Sequence, residues 1–132
     1  MDRIEKILNH DLFLYHLGRN NAAEADRRFC RHGMVHFLDV ARIGTIIALE
    51  EGLKIDREWI YAAALLHDCG KHEQYENGIL HEQASARIAP EILKTCGFND
   101  EETGVIVTAI SRHRDPEAAK EKNLNGILYR AD

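Results

Sequence analysis

The sequence has few of the residues that mark disulfide-stabilised or membrane-spanning proteins. Its three cysteines, Cys30, Cys69 and Cys96, are widely spaced and odd in number, which argues against a disulfide framework and against a Cys-x-x-Cys zinc site. We interpret them as buried thiols in a reducing compartment. No apolar run approaches the roughly 18 residues of a membrane span, and the charged N-terminus is unlike a signal peptide. We therefore expect a cytoplasmic protein that does not act in a membrane.

The sequence also has fewer basic than acidic residues. Seventeen lysines and arginines stand against 22 acidic residues, and the formal net charge is −5. A protein with this balance has no broad cationic face for a polyanion, so we do not expect duplex nucleic acid as a partner. With only two prolines and 45 % hydrophobic residues in 132, the composition is that of one compact domain, residues 1–132, with its own core.

The pattern of apolar residues predicts helices almost everywhere. No stretch alternates between apolar and polar residues as a half-buried strand would, so we predict an all-α bundle of about six to seven helices. The first amphipathic region runs from about Arg3 to Phe29, with breaks near residues 9–11 and 18–21, where polar turn-forming residues cluster. The oligomeric state is left open by this pattern.

The remaining helices are delimited by end signals. The second extends from about Gly33 to Glu51, ends at Gly52, and buries Val35, Leu38, Ile43, Ile46, Ile47 and Leu49. The third begins after the N-cap Asp56 and continues to Gly70, before a polar loop over residues 71–78. A helix over residues 80–95, closed by Gly97, precedes one capped by Asn99 or Asp100. The last helical pattern reaches Asp132 without an end signal, so we expect that the domain is C-terminally incomplete.

Histidine is abundant, with eight residues in this short chain, and imidazole is a common ligand of transition metals. The sharpest local signal is the pair His67 and Asp68, directly after an apolar run. Adjacent helical residues point about 100° apart, so both can hold one ion only where the helix ends or where the ion lies near the helix axis, and Gly70 provides such an end. A buried imidazole and carboxylate need a partner, and a divalent cation is one.

Several segments together resemble the ordered signature of the HD-domain superfamily. They are His36 in HFLDVAR, His67 and Asp68 in LLHDCGK, and Asp132 in ILYRAD. The resemblance implies an all-helical bundle in which these four residues bind a divalent metal, and most characterised members hydrolyse phosphate esters or anhydrides, often of nucleotides. His81 in HEQASARIA and His113 in AISRH stand where the two-metal branches carry further ligands. The pattern is closest to the bacterial diadenosine-tetraphosphate hydrolases of the superfamily.

The resemblance implies a set of six nitrogen and oxygen ligands, without thiolate, for one or two ions of iron, manganese, nickel, cobalt or zinc. The set is His36, His67, Asp68, His81, His113 and Asp132. Asp68 is the expected bridge between two ions and thus a catalytic residue. We expect a metal-activated water to attack a phosphate ester or anhydride of a nucleotide or another small phosphorylated molecule.

Nearby cations are candidates for the substrate's negative charge. Lys71 is predicted to contact a phosphoryl oxygen during catalysis, and Arg112 and Arg114 are predicted to bind the substrate. For Lys71 a solvated side chain remains an equal alternative. We interpret the other histidines, His10, His16, His32 and His72, as structural or solvent-exposed.

Two other functions stay open. Superfamily members with the same six-ligand pattern include di-iron oxygenases, which cleave carbon bonds with dioxygen, and the sequence does not separate them from hydrolases. The other alternative is a noncatalytic metal-binding regulatory module, against which the full ligand set argues.

Overall fold

The computed structural model describes residues 1–25 and 33–132, and in these ranges it contains eight α-helices, one short 3₁₀ helix and no strand. The all-α prediction is confirmed. Cys30, His32 and the predicted end of the first region at Phe29 lie outside the described residues. Within the described ranges, none of the helices is long and apolar enough to cross a membrane. The α-helices are α1 Asp2–Leu8, α2 Asp11–Ala23, α3 Met34–Glu50, α4 Arg57–Leu66, α5 Lys71–Asn77, α6 His81–Thr95, α7 Asp100–Ser111 and α8 Leu124–Ala131, with the 3₁₀ helix at Pro116–Lys120.

Helix α4 forms the centre of the core, with residues 62–66 fully buried. It packs against α3, α7, α8 and α1, whereas α6 lies against α7 and α5. As predicted, Asp56 caps α4, because its carboxylate accepts a hydrogen bond of 2.8 Å from the Glu58 backbone N–H. Asn99 caps α7 through reciprocal hydrogen bonds with Glu102. The predicted starts of α4 and α7 are thereby confirmed, whereas α4 ends at Leu66 and not at the predicted Gly70.

The buried face of α3 differs from the predicted one. Four of the residues assigned to the core are exposed, namely Val35, Ile43, Ile46 and Leu49, and Leu38 and Ile47 are only partly buried. The helix instead buries Phe37, Val40, Ala41, Gly44 and Ala48. A Cβ atom at Gly44 would lie 3.1 Å from Ile60 and from Ile127, so small residues allow close approach of the neighbouring helices. Close helix packing at Gly44, which hydrophobic periodicity does not take into account, favours this face.

Two predicted interruptions are wrong. Helix α2 continues through residues 18–21, and the predicted polar loop over residues 71–78 contains helix α5. Asn20 explains part of both results, because its fully buried amide donates to the Asp68 carbonyl oxygen at 2.9 Å and accepts from the His72 backbone N–H at 2.8 Å. A residue read as a turn former therefore serves a tertiary contact that ties α2 to the start of α5.

A pair of stacked histidines joins the same two helices. His16 Nδ1 on α2 lies 2.8 Å from His72 Nε2 on α5, and the two rings are nearly parallel. Burial, together with the neighbouring His72, lowers the pKa of His16 to about 4, and burial also lowers the pKa of His72. The charged groups that face the pair are Arg19, Glu73 and Glu76. The pair is therefore built to be uncharged near neutral pH.

This pair predicts a loss of stability in mild acid. Between pH 6.5 and about 4 the unfolded chain binds protons that the folded His16 does not, so the free energy of unfolding falls as the pH falls. We expect His16→Gln to reduce this pH-dependent change in the free energy of unfolding by about 1–2 kcal/mol, a value that allows for the partial exposure of the ring. Thermal unfolding of chelator-treated protein at several pH values measures it. Identical pH profiles for wild type and variant would contradict the prediction.

Candidate metal centre

The structure brings all six residues predicted as metal ligands to one end of the bundle. They lie at helix ends or just beyond them, where a side chain can leave the helix face. His36 lies near the start of α3, His67 and Asp68 follow α4, and His81 begins α6. His113 follows α7, and Asp132 follows α8. Helix packing thus joins residues that are separated by almost 100 positions, as in the pair His36 and Asp132.

The six residues form two groups that share Asp68. In the first group, Asp68 Oδ2 lies 3.2 Å from His67 Nε2 and 3.6 Å from His36 Nε2. Asp132 Oδ1 completes this group at 3.0 Å from His36 Nε2 and 3.2 Å from His67 Nε2. The four side chains come from the ends of three different helices, so only the folded chain assembles the group.

The second group lies on the other side of the same carboxylate. Asp68 Oδ1 is 3.4 Å from His81 Nε2 and 3.3 Å from His113 Nε2, and these two nitrogens are 3.0 Å apart. The two oxygens of Asp68 therefore face different histidine groups. A carboxylate in this position can bridge two cations.

Burial differs between the two groups. The side chains of His67 and His113 are fully enclosed, and Asp68 is 3 % exposed. His36, at the edge of the first group, has a side chain that is 32 % exposed. The side chain of His36 is therefore the most exposed of the four in the first group.

The charge of the centre is balanced within the first group. Burial by itself raises the pKa of Asp68, but the attraction of His67 and hydrogen bonds from His36 and His67 hold that pKa well below its usual range. Burial also lowers the pKa of His67, yet Asp68 and Asp132 raise it overall, to about 10. Hydrogen bonds to Asp132 and Asp68 raise the pKa of His36 to about 9. Among the described residues, protonated His36 and His67 thus face the carboxylates of Asp68 and Asp132.

The ring of His81, unlike those of His36 and His67, is held in its neutral form. Burial, which outweighs the attraction of Asp68, lowers the pKa of His81 to about 4, so that its ring is neutral near pH 7. Since metal binding requires deprotonated imidazoles, a cation in the first group would displace the protons of His36 and His67. Such binding would be coupled to proton release and would strengthen as the pH rises.

The donors fit a divalent transition metal ion. The Nδ1 atoms of His67 and His113 lie 2.6 Å and 2.7 Å from the carbonyl oxygens of Ala64 and Ile110. A carbonyl oxygen can only accept, so Nδ1 carries the proton and Nε2 is directed at the cluster, as in metal sites whose second nitrogen is hydrogen-bonded. Burial raises the pKa of Cys69 to about 12, which keeps this neighbouring thiol protonated and out of the donor set.

Sequence reasoning missed two residues that support the centre. Asn20 holds the backbone on both sides of the corner between α4 and α5, through Asp68 and His72. Gln74 on α5 hydrogen-bonds to the ring and the backbone of His81. Neither carries a sequence signal, because a polar residue in an amphipathic helix is ordinarily solvent-exposed.

The predicted substrate-binding cations differ in their surroundings. Lys71 Nζ lies 3.3 Å from His81 Nδ1, at the edge of the second group. Arg112 is held by the carboxylates of Asp115 and Glu121. Arg114 is exposed and follows His113 in the chain. Among these three, Lys71 is the cation with a described contact to a residue of the centre.

Known proteins resemble this chain to different degrees. The HD domain family matches residues 33–132. An uncharacterized protein of Clostridium beijerinckii is 48 % identical over the whole chain, which covers 82 % of that relative. The crystal structure of a predicted HD superfamily hydrolase from an uncultured Thermotogales bacterium is 27 % identical with a TM-score of 0.68; the match covers 89 % of this chain and 64 % of that one. The match to this family over three quarters of the sequence, including all six residues of the centre, shows that the chain belongs to the HD domain family.

Proposed function

We propose that the protein is a metal-dependent phosphohydrolase that cleaves a phosphate ester or anhydride of a nucleotide or another small phosphorylated molecule. The observation that carries the proposal is the buried carboxylate of Asp68, whose two oxygens face two histidine groups. Membership in a family with a hydrolase-like structural neighbour supports the same chemistry. In this proposal Asp68 is the central catalytic residue.

The two groups would hold one ion each. His36, His67 and Asp132 would hold the first together with Asp68, and His81 and His113 would hold the second with the same carboxylate. When bound, divalent ions of iron, manganese, nickel, cobalt or zinc supply Lewis acidity that activates water and neutralises phosphoryl charge. The chain contributes the orientation of the imidazoles and the burial of Asp68, which strengthens electrostatic interactions around that carboxylate.

Substrate binding in this proposal depends on a few cations. Lys71 would bind a phosphoryl oxygen at the edge of the second group, and Arg114 would approach the same phosphate from solvent. Arg112 would take part only after leaving Asp115 and Glu121, so its expected contribution is smaller. A compact anion suits this surface better than a long polyanion, because the net charge of the chain is −5.

A substrate screen with metal analysis tests the proposal. Protein purified without oxygen would be analysed for bound metals and assayed with phosphate esters, nucleotides and dinucleoside tetraphosphates. We expect hydrolysis that a chelator abolishes and that a divalent ion restores. Oxygen uptake by iron-loaded protein, without hydrolysis of any compound, would instead support a di-iron oxygenase. Tight metal binding without either activity would indicate a regulatory module.

A further inference from the structure

Helix α5 supplies an acceptor to a ring on the next helix. Gln74 Oε1 lies 2.7 Å from His81 Nδ1 and accepts a second hydrogen bond, of 3.0 Å, from the His81 backbone N–H. His81 is the first residue of α6, and the N-cap residue Leu80 makes no side-chain capping bond. Gln74 therefore satisfies an unpaired N–H at the helix start and fixes the plane of the imidazole at the same time.

His81 needs this external acceptor because of its position. His67 and His113 each follow a helix, and their Nδ1 atoms bond to the carbonyl oxygen three residues earlier in the chain. His81 begins a helix, so it has no preceding turn that could offer the same carbonyl. A Glu82 carboxylate oxygen lies farther from His81 Nδ1, at 3.7 Å, than the Gln74 amide oxygen does. Gln74 takes the place of the missing backbone acceptor.

Lys71 favours the opposite arrangement of the same ring. Its ammonium lies 3.3 Å from His81 Nδ1 and can only donate. If Lys71 donated to Nδ1, the proton of the neutral ring would be on Nε2, where Asp68 Oδ1 at 3.4 Å and His113 Nε2 at 3.0 Å could accept it. A protonated Nε2 cannot bind a cation. Gln74 and Lys71 thus select different tautomers of one imidazole.

We propose that Gln74 is the positioning residue of the second metal group: it holds the proton of His81 on Nδ1, keeps Nε2 directed at Asp68, and leaves the Lys71 ammonium to an anionic substrate. The metal and substrate parts of this inference rest on the proposed function. The tautomer part does not, since it concerns the chain alone. Gln74 acts only through His81 and Lys71.

The tautomer can be measured without metal or substrate. Long-range proton–nitrogen NMR spectra of chelator-treated, histidine-labelled protein at pH 7.5 distinguish a protonated Nδ1 from a protonated Nε2, and His81→Asn assigns the signal. We expect Nδ1–H in the wild type and in Gln74→Glu, which retains an acceptor, and a shift towards Nε2–H in Gln74→Met. A wild-type ring protonated on Nε2 would overturn the inference even if no variant folded, and whatever the substrate screen found.

Metal titration gives an independent readout. With Mn²⁺ as the probe, Gln74→Met should weaken the second binding event about tenfold to a hundredfold and leave the first unchanged, an effect typical of groups that orient a ligand. Adding Lys71→Met to this variant should recover part of the loss, because the competing donor is gone. Gln83→Met, on the exposed face of α6, is the matched control and should bind both ions as the wild type does. Equal titrations for Gln74→Met and the control would contradict the proposal.

Discussion

Asp68→Asn is expected to lower hydrolysis by about a thousandfold or more and to abolish most metal binding, with little change in helix content. A metal centre contributes several kcal/mol of transition-state stabilisation, and each ~1.4 kcal/mol changes the rate tenfold. The amide matches the carboxylate in size, so packing around the 3 % exposed side chain is retained, whereas the charge that faces both histidine groups is lost. Asp68→Ala should have the same functional effect.

Steady-state kinetics, metal analysis and circular dichroism together measure this effect. Asp39→Asn is the matched control, because Asp39 lies on α3 three residues after His36 but is 57 % exposed and contacts only Arg42 among its described ion pairs. His81→Ala should reduce the stoichiometry by one ion, since it removes a member of the second group only. Wild-type activity in Asp68→Asn would refute the assignment of the centre.

Gly70→Ala should cause the largest loss of stability among single methyl additions near the centre. An added Cβ would lie 2.7 Å from the Ser85 backbone nitrogen and 2.9 Å from the Ala84 carbonyl carbon, so the corner between α4 and α5 would have to move away from α6. Overpacking of this kind costs about 3 kcal/mol, and a domain of this size then unfolds roughly 10 °C lower. The φ angle of −96° is accessible to alanine, so steric conflict rather than backbone strain is responsible.

Gly18→Ala is the matched control for Gly70→Ala. A Cβ atom at Gly18 meets nothing within 4 Å, and the residue lies inside helix α2. Alanine there should raise the free energy of unfolding by up to about 1 kcal/mol, through the better helix propensity of alanine. Thermal denaturation measures both variants. Equal melting temperatures for the two variants would show that the approach of the α4–α5 corner to α6 is not as close as the structure indicates.

The elements that could be predicted are those with short-range causes. Asp56 and Asn99 cap their helices through residues two and three positions away, and Gly52 and Gly97 adopt the positive φ angles that follow a helix end. The break before α2 is likewise local, because the His10 ring accepts a hydrogen bond from the Leu12 backbone N–H. By contrast, the break predicted at Asn20 is wrong. The hydrogen-bond partners of this side chain are 48 and 52 residues away, so the local sequence pattern does not indicate them.

For the candidate centre, the sequence by itself determined the donor chemistry: six imidazoles and carboxylates in a definite order, without a thiolate, on a chain whose apolar period requires packed helices. Tertiary structure decided how the donors are shared. The division of the Asp68 oxygens between two histidine groups, the contact between Gln74 and His81, and the small-residue face of α3 depend on how helices distant in sequence pack together. Residue type sets which atoms can bind a cation, but only the packing of those helices sets where the atoms lie and which nitrogen carries the proton.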